Sequence, residues 1–179
     1  MITLSPVIRL VLFAALLAIG IGSRFLPHPP DATALTAVIF ASALYLGPRF
    51  SAVLVISLLL LSDALIGSYE LPVMLSVYGS FFLIMGLGMR YAHSSGITRK
   101  IIVLASASLL FFLITNTAVW YFTPWYTKDL AGLMTSYTLA LPFLKNMLIG
   151  DFAYTSVLLS ALALIFHPLQ VPSRSAYVA

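Results

Sequence analysis

The sequence predicts an all-helical integral membrane protein whose six transmembrane helices form one compact bundle. Of its 179 residues, 61% are hydrophobic and only 8% are charged, a balance that no water-soluble core requires. Apolar runs about long enough to cross a bilayer alternate with short turns rich in proline, glycine and charge. The basic residues behind the net charge of +4 are spread along the chain, with Arg99 and Lys100 as the one adjacent pair, so we expect a lipid bilayer as partner and no nucleic acid.

The apolar runs set the predicted helix boundaries. We place helices at residues 6–25, 31–46, 50–66, 73–91, 100–120 and 143–166, in a single transmembrane domain over 1–179 that ends in a polar tail at 167–179. The first helix has a competing interpretation as a cleaved signal peptide, because small residues follow its apolar stretch. Arg24 is poorly placed for such cleavage, so we favour a transmembrane helix.

A rigid connector precedes the second helix. Pro27, Pro29 and Pro30 each fix φ and lack an N–H donor, and Asp31 or Thr33 can cap the helix that follows. This helix would be roughly 24 Å long, which is short for a bilayer. We therefore expect neighbouring helices to cover part of it.

Polar turns separate the remaining helices. The residues Gly47-Pro48-Arg49 make a tight turn, and a basic loop occupies 93–100. The segment 128–141 is too short and too polar to cross a bilayer. It predicts a short surface or re-entrant helix between the fifth and sixth transmembrane helices.

An aromatic cluster at the end of the fifth helix contains both tryptophans, Trp120 and Trp125, together with Tyr126. Such rings collect where hydrocarbon meets water, so the helix is expected to surface here. The amide of Asn116 lies about a turn and a half inside that surface, where an unpaired polar group is costly. Taken alone, the cluster favours an interfacial belt with one inter-helix hydrogen bond, but other polar residues that gather at the same depth favour a site.

The distribution of positive charge predicts the orientation. Six crossings place both termini on one side, and most of the basic residues lie on that side: Arg9, Arg49, Arg90, Arg99, Lys100 and Arg174. Positive charge favours the cytoplasm. We therefore expect a multi-pass protein of the inner (plasma) membrane with both termini cytoplasmic.

Polar residues gather in the opposite, outer half, which predicts an outward-opening pocket. The candidate ligand-binding residues are His28, Asp63, Asn116, Trp120, Trp125, Tyr126, Asn146 and Asp151. Asp151 would lie roughly 12 Å down its helix, where a lone acid needs a cation or hydrogen-bond donors. The structural alternatives are a helix-holding ion pair for Asp151, contact with water for Asp63 and an exposed loop position for His28.

The sequence offers no positive sign of catalysis. It has no cysteine, and no nucleophile–base motif, metal-ligand spacing or glycine-rich phosphate loop is visible. We therefore expect no catalytic residues, no metal and no cofactor.

A small-residue stripe on the first helix, formed by Ala14, Ala18 and Gly22 at four-residue spacing, favours close approach of another helix, either internal or from a partner protein.

Several short blocks carry a resemblance to a known family. They are Arg24-Phe25-Leu26-Pro27-His28-Pro29-Pro30, Leu61-Ser62-Asp63, Phe111-Phe112-Leu113-Ile114-Thr115-Asn116 with Val119-Trp120, Gly132-Leu133, Ala140-Leu141-Pro142-Phe143 and Gly150-Asp151. Together they look like a bacterial family of small membrane proteins of unknown function. That family resembles the S components of energy-coupling factor (ECF) transporters, six-helix subunits that capture vitamins and trace nutrients. The resemblance implies an outward-facing pocket under the loops, and a first helix that docks an ECF coupling subunit with its ATPases.

These observations lead to three functional hypotheses. The first is a transport protein that captures a small vitamin-like or micronutrient solute; the others are a structural or assembly protein and a membrane-embedded enzyme. Aromatic and acidic side chains with little positive charge nearby favour a neutral or cationic ligand with a ring system. We expect Asp151→Asn and Trp120→Ala each to weaken its binding at least about tenfold.

Overall fold

The computed structural model describes residues 4–67, 69–92 and 96–166, and within these ranges it contains helices and no strand. The helices are α1 (Pro6–Phe25), α2 (Leu35–Tyr45), α3 (Pro48–Ile66), α4 (Leu71–Ala92), α5 (Ile97–Phe122) and α6 (Leu130–Phe166). The predicted all-helical class is confirmed. The predicted polar tail, 167–179, lies outside the described residues.

Five of the six helices are long and apolar enough to cross a membrane; α2 is the short one. Their outward-facing side chains are largely apolar, as Val7 on α1, Leu60 on α3 and Val157 on α6 illustrate. A surface of this kind is stable against lipid rather than water. The chain is therefore built as a membrane-embedded protein.

The short helix α2 occupies the centre of the bundle. It packs against α1, α3, α4 and α6, and every one of its residues except Leu44 is buried. A helix that is apolar all round needs such surroundings. With 11 residues it is only about 16 Å long, less than the thickness of the hydrocarbon core.

The helix α6 differs from the sequence prediction. The segment 128–141 does not form a separate helix, because its residues from Leu130 onward continue into one helix of 37 residues that contains Pro142. Proline removes one backbone hydrogen bond, but its φ is compatible with a helix. Packing against α5 holds the first part in place: Ser136 Oγ donates to the Asn116 carbonyl oxygen at 3.2 Å, and the Tyr137 hydroxyl lies 2.6 Å from Thr117 Oγ1. Tertiary contacts here outweigh the local preference of proline.

Long-range contacts bring the ends of α1 and α3 together with the first half of α4. Arg24 at the end of α1 contacts Asp63 near the end of α3, and Tyr78 of α4 joins them. The same end of the bundle holds the connector 26–34, which leads from α1 down to α2.

Candidate functional site

A cavity of about 330 Å³ lies inside this end of the bundle. Its polar lining consists of Arg24, Asp31, Thr33, Thr36, Tyr69, Thr115, Asn116 and Asp151. Four phenylalanines provide much of the apolar wall: Phe81, Phe111, Phe112 and Phe143. These residues come from all six helices or their connections, so the cavity exists only in the packed bundle.

The carboxyl group of Asp151 lines the cavity from α6 and is 2% exposed. Ser108 Oγ on α5 donates a hydrogen bond of 2.7 Å to its Oδ2, and the side chain of Thr36 on α2 lies beside the same group. Among the described residues no lysine, arginine or histidine makes an ion pair with it. The acid therefore has hydroxyl donors but no counter-charge, in surroundings where an uncompensated charge is costly.

The connector 26–34 supplies the second acid of the cavity through a tight turn. The Ala32 N–H donates to the Pro29 carbonyl oxygen at 3.0 Å, and Asp31 has a φ of 65°. Proline followed by a residue with positive φ is the pattern of a type II turn, and aspartate tolerates this conformation better than most residues. The turn places Asp31, which is exposed to solvent, on the lining of the cavity.

A close backbone contact fixes the connector against α6. An added Cβ at Gly150 would lie 2.9 Å from the Ala32 Cα, so only glycine allows this approach. At its other end, the connector is tied to α1 because Ser23 Oγ accepts from the Ala34 N–H at 3.1 Å. The sequence neighbour of Gly150 is Asp151, so the same packing brings both acids to one cavity.

An ion pair lies at the wall of the cavity. Arg24 Nη1 is 2.7 Å from Asp63 Oδ1 and also donates to Ser62 Oγ, while the Tyr78 hydroxyl donates to Asp63 Oδ2 at 3.0 Å. Asp63 is buried. Burial, with the negative charge of Asp63 as a further cause, raises the pKa of Tyr69 to about 12, so Tyr69 lines the cavity as a neutral hydroxyl.

The turn between α5 and α6 satisfies its polar groups locally. Trp120 Nε1 donates to the Thr127 carbonyl oxygen at 2.8 Å, and Lys128 Nζ donates to the carbonyl oxygens of Trp120 and Thr123 at the end of α5. Asp129 caps α6 by accepting the Gly132 N–H at 2.7 Å. This hydrogen bond, followed by one from the Thr127 hydroxyl, lowers the pKa of Asp129.

The structure brings two of the eight predicted ligand-binding residues, Asn116 and Asp151, to the cavity lining. The amide nitrogen of Asn116 donates to the Phe112 carbonyl oxygen of its own helix at 2.8 Å. The other six are absent from the lining: His28, Asp63, Trp120, Trp125, Tyr126 and Asn146. His28 Nδ1 donates to the Pro29 carbonyl oxygen at 2.8 Å, and Trp125 is 72% exposed.

Sequence reasoning passed over three residues that matter here. Arg24 was considered for signal-peptide cleavage, for topology and within a family block, and Thr36 and Ser108 are hydroxyls within apolar helices that also hold others. A further hydroxyl, that of Thr155 one turn beyond Asp151, is buried without a hydrogen-bond partner in the described part of the chain. The available signal was polarity inside an apolar helix, which does not tell which neighbour each side chain faces.

The predicted docking stripe lies on α1, the helix at the side of the bundle. Ala14 and Ala18 are exposed, while Leu12, Leu16 and Gly20 of the same helix are buried. An added Cβ on Gly22 would have no atom within 4 Å. The small-residue face of α1 therefore points away from the bundle.

The side chains that line the cavity offer charges, hydrogen-bonding groups and aromatic surface. Among the described residues, no group of three or more histidines, cysteines or acids comes together in a way that could hold a metal ion. The cavity combines two acids, hydroxyls, an amide and aromatic walls. Such a set can recognise a small molecule by charge, hydrogen bonds and ring contacts.

Comparison with known proteins gives a family and no function. No curated protein and no solved structure matches the chain. The sequence matches a family of unknown function, DUF6580, over residues 5–173. The chain belongs to this family of unknown function.

Proposed function

We propose that the protein captures a small solute in its central cavity and passes it across the membrane. The observation that carries this proposal is the buried carboxyl group of Asp151, which faces a cavity and lacks a counter-charge among the described residues. The other buried acid, Asp63, already has its cation in Arg24. A ligand that enters the cavity would complete the missing interactions.

The size and walls of the cavity support a small ligand. A volume of about 330 Å³ is near the lower end of the range of ligand pockets. Its phenylalanines offer flat apolar contact, while polar groups at fixed positions would orient the ligand. A vitamin-like or micronutrient solute matches this combination.

The proposed topology follows from the positive-inside rule. With both termini in the cytoplasm, the cavity opens on the outer side of the inner membrane. Six crossings then require α2 to cross within the bundle, where its neighbours shield it from lipid. This orientation suits a protein that captures its solute outside the cell.

The resemblance to ECF S components supplies the energising partner in this proposal. The exposed small-residue face at Ala14 and Ala18 would dock the coupling subunit, which carries the ATPases. Enlarging Ala18 to leucine should weaken co-purification with that partner while leaving solute binding intact, because the side chain points away from the bundle. Loss of folding in this variant would assign the stripe to internal packing.

Mass spectrometry of small molecules that co-purify with the detergent-solubilised protein tests the function directly. We expect one compound to be enriched and to raise the melting temperature when added back, since a ligand that binds the folded state stabilises it. A structural or assembly role for the polar cluster predicts no such compound. The buried ion pair of Arg24 and Asp63 favours such a structural role for the wall of the cavity.

An enzyme of the membrane is a weaker alternative, and it makes a different prediction. If Asp63 or Asp151 were catalytic, amidation of either one would abolish turnover of a bound compound without reducing its affinity. A transport subunit should instead release the captured compound unchanged, which the same mass spectra would reveal.

A further inference from the structure

The proposal above leaves the chemical class of the solute open, and the charges around the cavity narrow it. We propose that the solute is a small organic cation whose positive group is held by Asp151 and Asp31 and whose apolar body packs against the phenylalanine walls. This inference rests on the proposed function and names its substrate class.

The acids around the cavity outnumber the basic side chains. Arg24, Asp31 and Asp151 line the cavity, and Asp63 lies behind Arg24. With every carboxyl group ionised, one positive and three negative charges leave a net charge of −2. The guanidinium of Arg24 is already paired with Asp63 and hydrogen-bonded to Ser62. The other two acids thus lack a paired cation among the described residues.

The carboxyl group of Asp151 has fewer partners than it can accept. Its side chain is buried, the Ser108 hydroxyl donates to it, the Thr36 side chain lies beside it, and no cation pairs with it in the described ranges. A hydroxyl donates one hydrogen bond, whereas a carboxylate can accept about four. A ligand ammonium would supply both the missing donors and the missing charge.

Asp31 and Asp151 line the same cavity. The connector that carries Asp31 packs directly on Gly150, the neighbour of Asp151. Two like charges held near one another in a partly desolvated site repel. A cation between them would remove that repulsion. His28 also lies near Asp31, but it is not part of the lining.

The apolar walls fit a cation as well. Aromatic faces attract ammonium groups, and more so when water is excluded. An anion would meet little positive charge. Within the described residues no lysine lines the cavity, and Arg24 is the arginine that does. A phosphate ester would need several free arginines.

The test uses purified full-length protein and compounds that share a body but differ in charge. Phenethylamine, phenethyl alcohol and phenylacetate form one set, and tryptamine, tryptophol and indoleacetate form another. In each set we expect the amine to raise the melting temperature more than the alcohol or the carboxylate. Equal or greater stabilisation by the alcohol or the carboxylate would overturn the inference.

Variants assign the effect to the cavity. Asp151→Asn should weaken amine binding at least about tenfold, and Asp31→Asn should weaken it less because Asp31 is exposed. Asparagine also tolerates the positive φ of that turn. Asp129→Asn, which removes an acid outside the cavity and keeps the cap of α6, should bind as the original protein does. Equal binding by the Asp151 and Asp129 variants would refute the assignment.

The co-purification experiment separates the two proposals. A co-purified solute that is neutral or anionic, with no response to the amines, removes the cation inference and leaves solute capture standing. No co-purified compound and no response to any member of the sets would remove both. A co-purified organic cation whose affinity falls in Asp151→Asn would support both.

Discussion

The cavity lining and the α5–α6 turn both contain acidic, basic, hydroxyl and aromatic side chains. They differ in where those side chains find their hydrogen-bond partners. In the turn, Trp120, Lys128 and Asp129 bond to groups within eight residues along the chain. At the cavity, the hydrogen bond between Ser108 and Asp151 joins residues 43 positions apart, and Asp151 has no ion-pair partner in the described ranges.

This difference teaches how to interpret polar residues in an apolar chain. Polar groups that can satisfy one another locally build a connection between helices, and they need no ligand. Polar groups that converge from separate helices and stay incompletely matched are the stronger candidates for a site. Trp120, prominent in the sequence, therefore belongs to the first class, and Asp151 belongs to the second.

The largest expected effect is at the wall of the cavity. Arg24→Gln should destabilise the protein by about 3 kcal/mol, because it leaves the buried Asp63 carboxylate without its cation. The double variant Arg24→Gln with Asp63→Asn should recover much of that loss. Thermal unfolding of these two variants and of Asp63→Asn alone measures the coupling. If the stability losses of the two single variants add up in the double variant, Arg24 and Asp63 do not stabilise each other. The contrast with Asp151 would then be weaker.

The next effect concerns the turn. In Gly132→Ala the new Cβ would lie 2.0 Å from the Thr127 carbonyl oxygen, so the turn must shift, at a cost of about 2 kcal/mol. Gly79→Ala is the matched control, since nothing lies within 4 Å of its added Cβ and alanine favours a helix. Solute affinity should stay unchanged in both. A loss of affinity in Gly132→Ala would join the turn to the site.

A direct comparison of the two regions uses Asp151→Asn and Trp120→Phe. Asparagine keeps the shape of Asp151, so the melting temperature should change little. It removes the negative charge, so solute affinity should fall at least about tenfold, roughly 1.4 kcal/mol. The sequence led us to expect a similar loss for Trp120→Ala. Because Trp120 donates to Thr127 and does not line the cavity, we now expect Trp120→Phe to lower the melting temperature and spare binding. The reverse pattern would exchange the roles of the two regions.

The smallest effect is the cap of α6. Asp129→Ala should lower the melting temperature modestly because it removes the acceptor of the Gly132 N–H, and Asp129→Ser should restore part of the loss. Since the pKa of Asp129 is lowered in the folded state, its contribution is present above the pKa of the unfolded chain. It is lost as the pH falls through the lower folded value. A difference in melting temperature between the original protein and Asp129→Ala that persists undiminished in acid would refute this role.

Local chemistry in the sequence determined the fold class and several positions within it. The excess of apolar residues predicts membrane helices, and the acid within the last helix predicts a polar interior. These features depend on composition and on neighbours a few residues away. The same kind of evidence placed a helix boundary at Pro142, where the structure has one continuous helix because Ser136 and Tyr137 pack against α5.

Only the tertiary structure decided which polar groups meet. Arg24 and Asp63 are 39 residues apart, and the contact of Ala32 with Gly150 joins the connector to the last helix. Such meetings depend on how each helix is rotated about its axis and on which helices are neighbours, which hydropathy does not encode. For this reason Asp63 turned out to pair with Arg24, while Asp31 and Asp151 share the cavity.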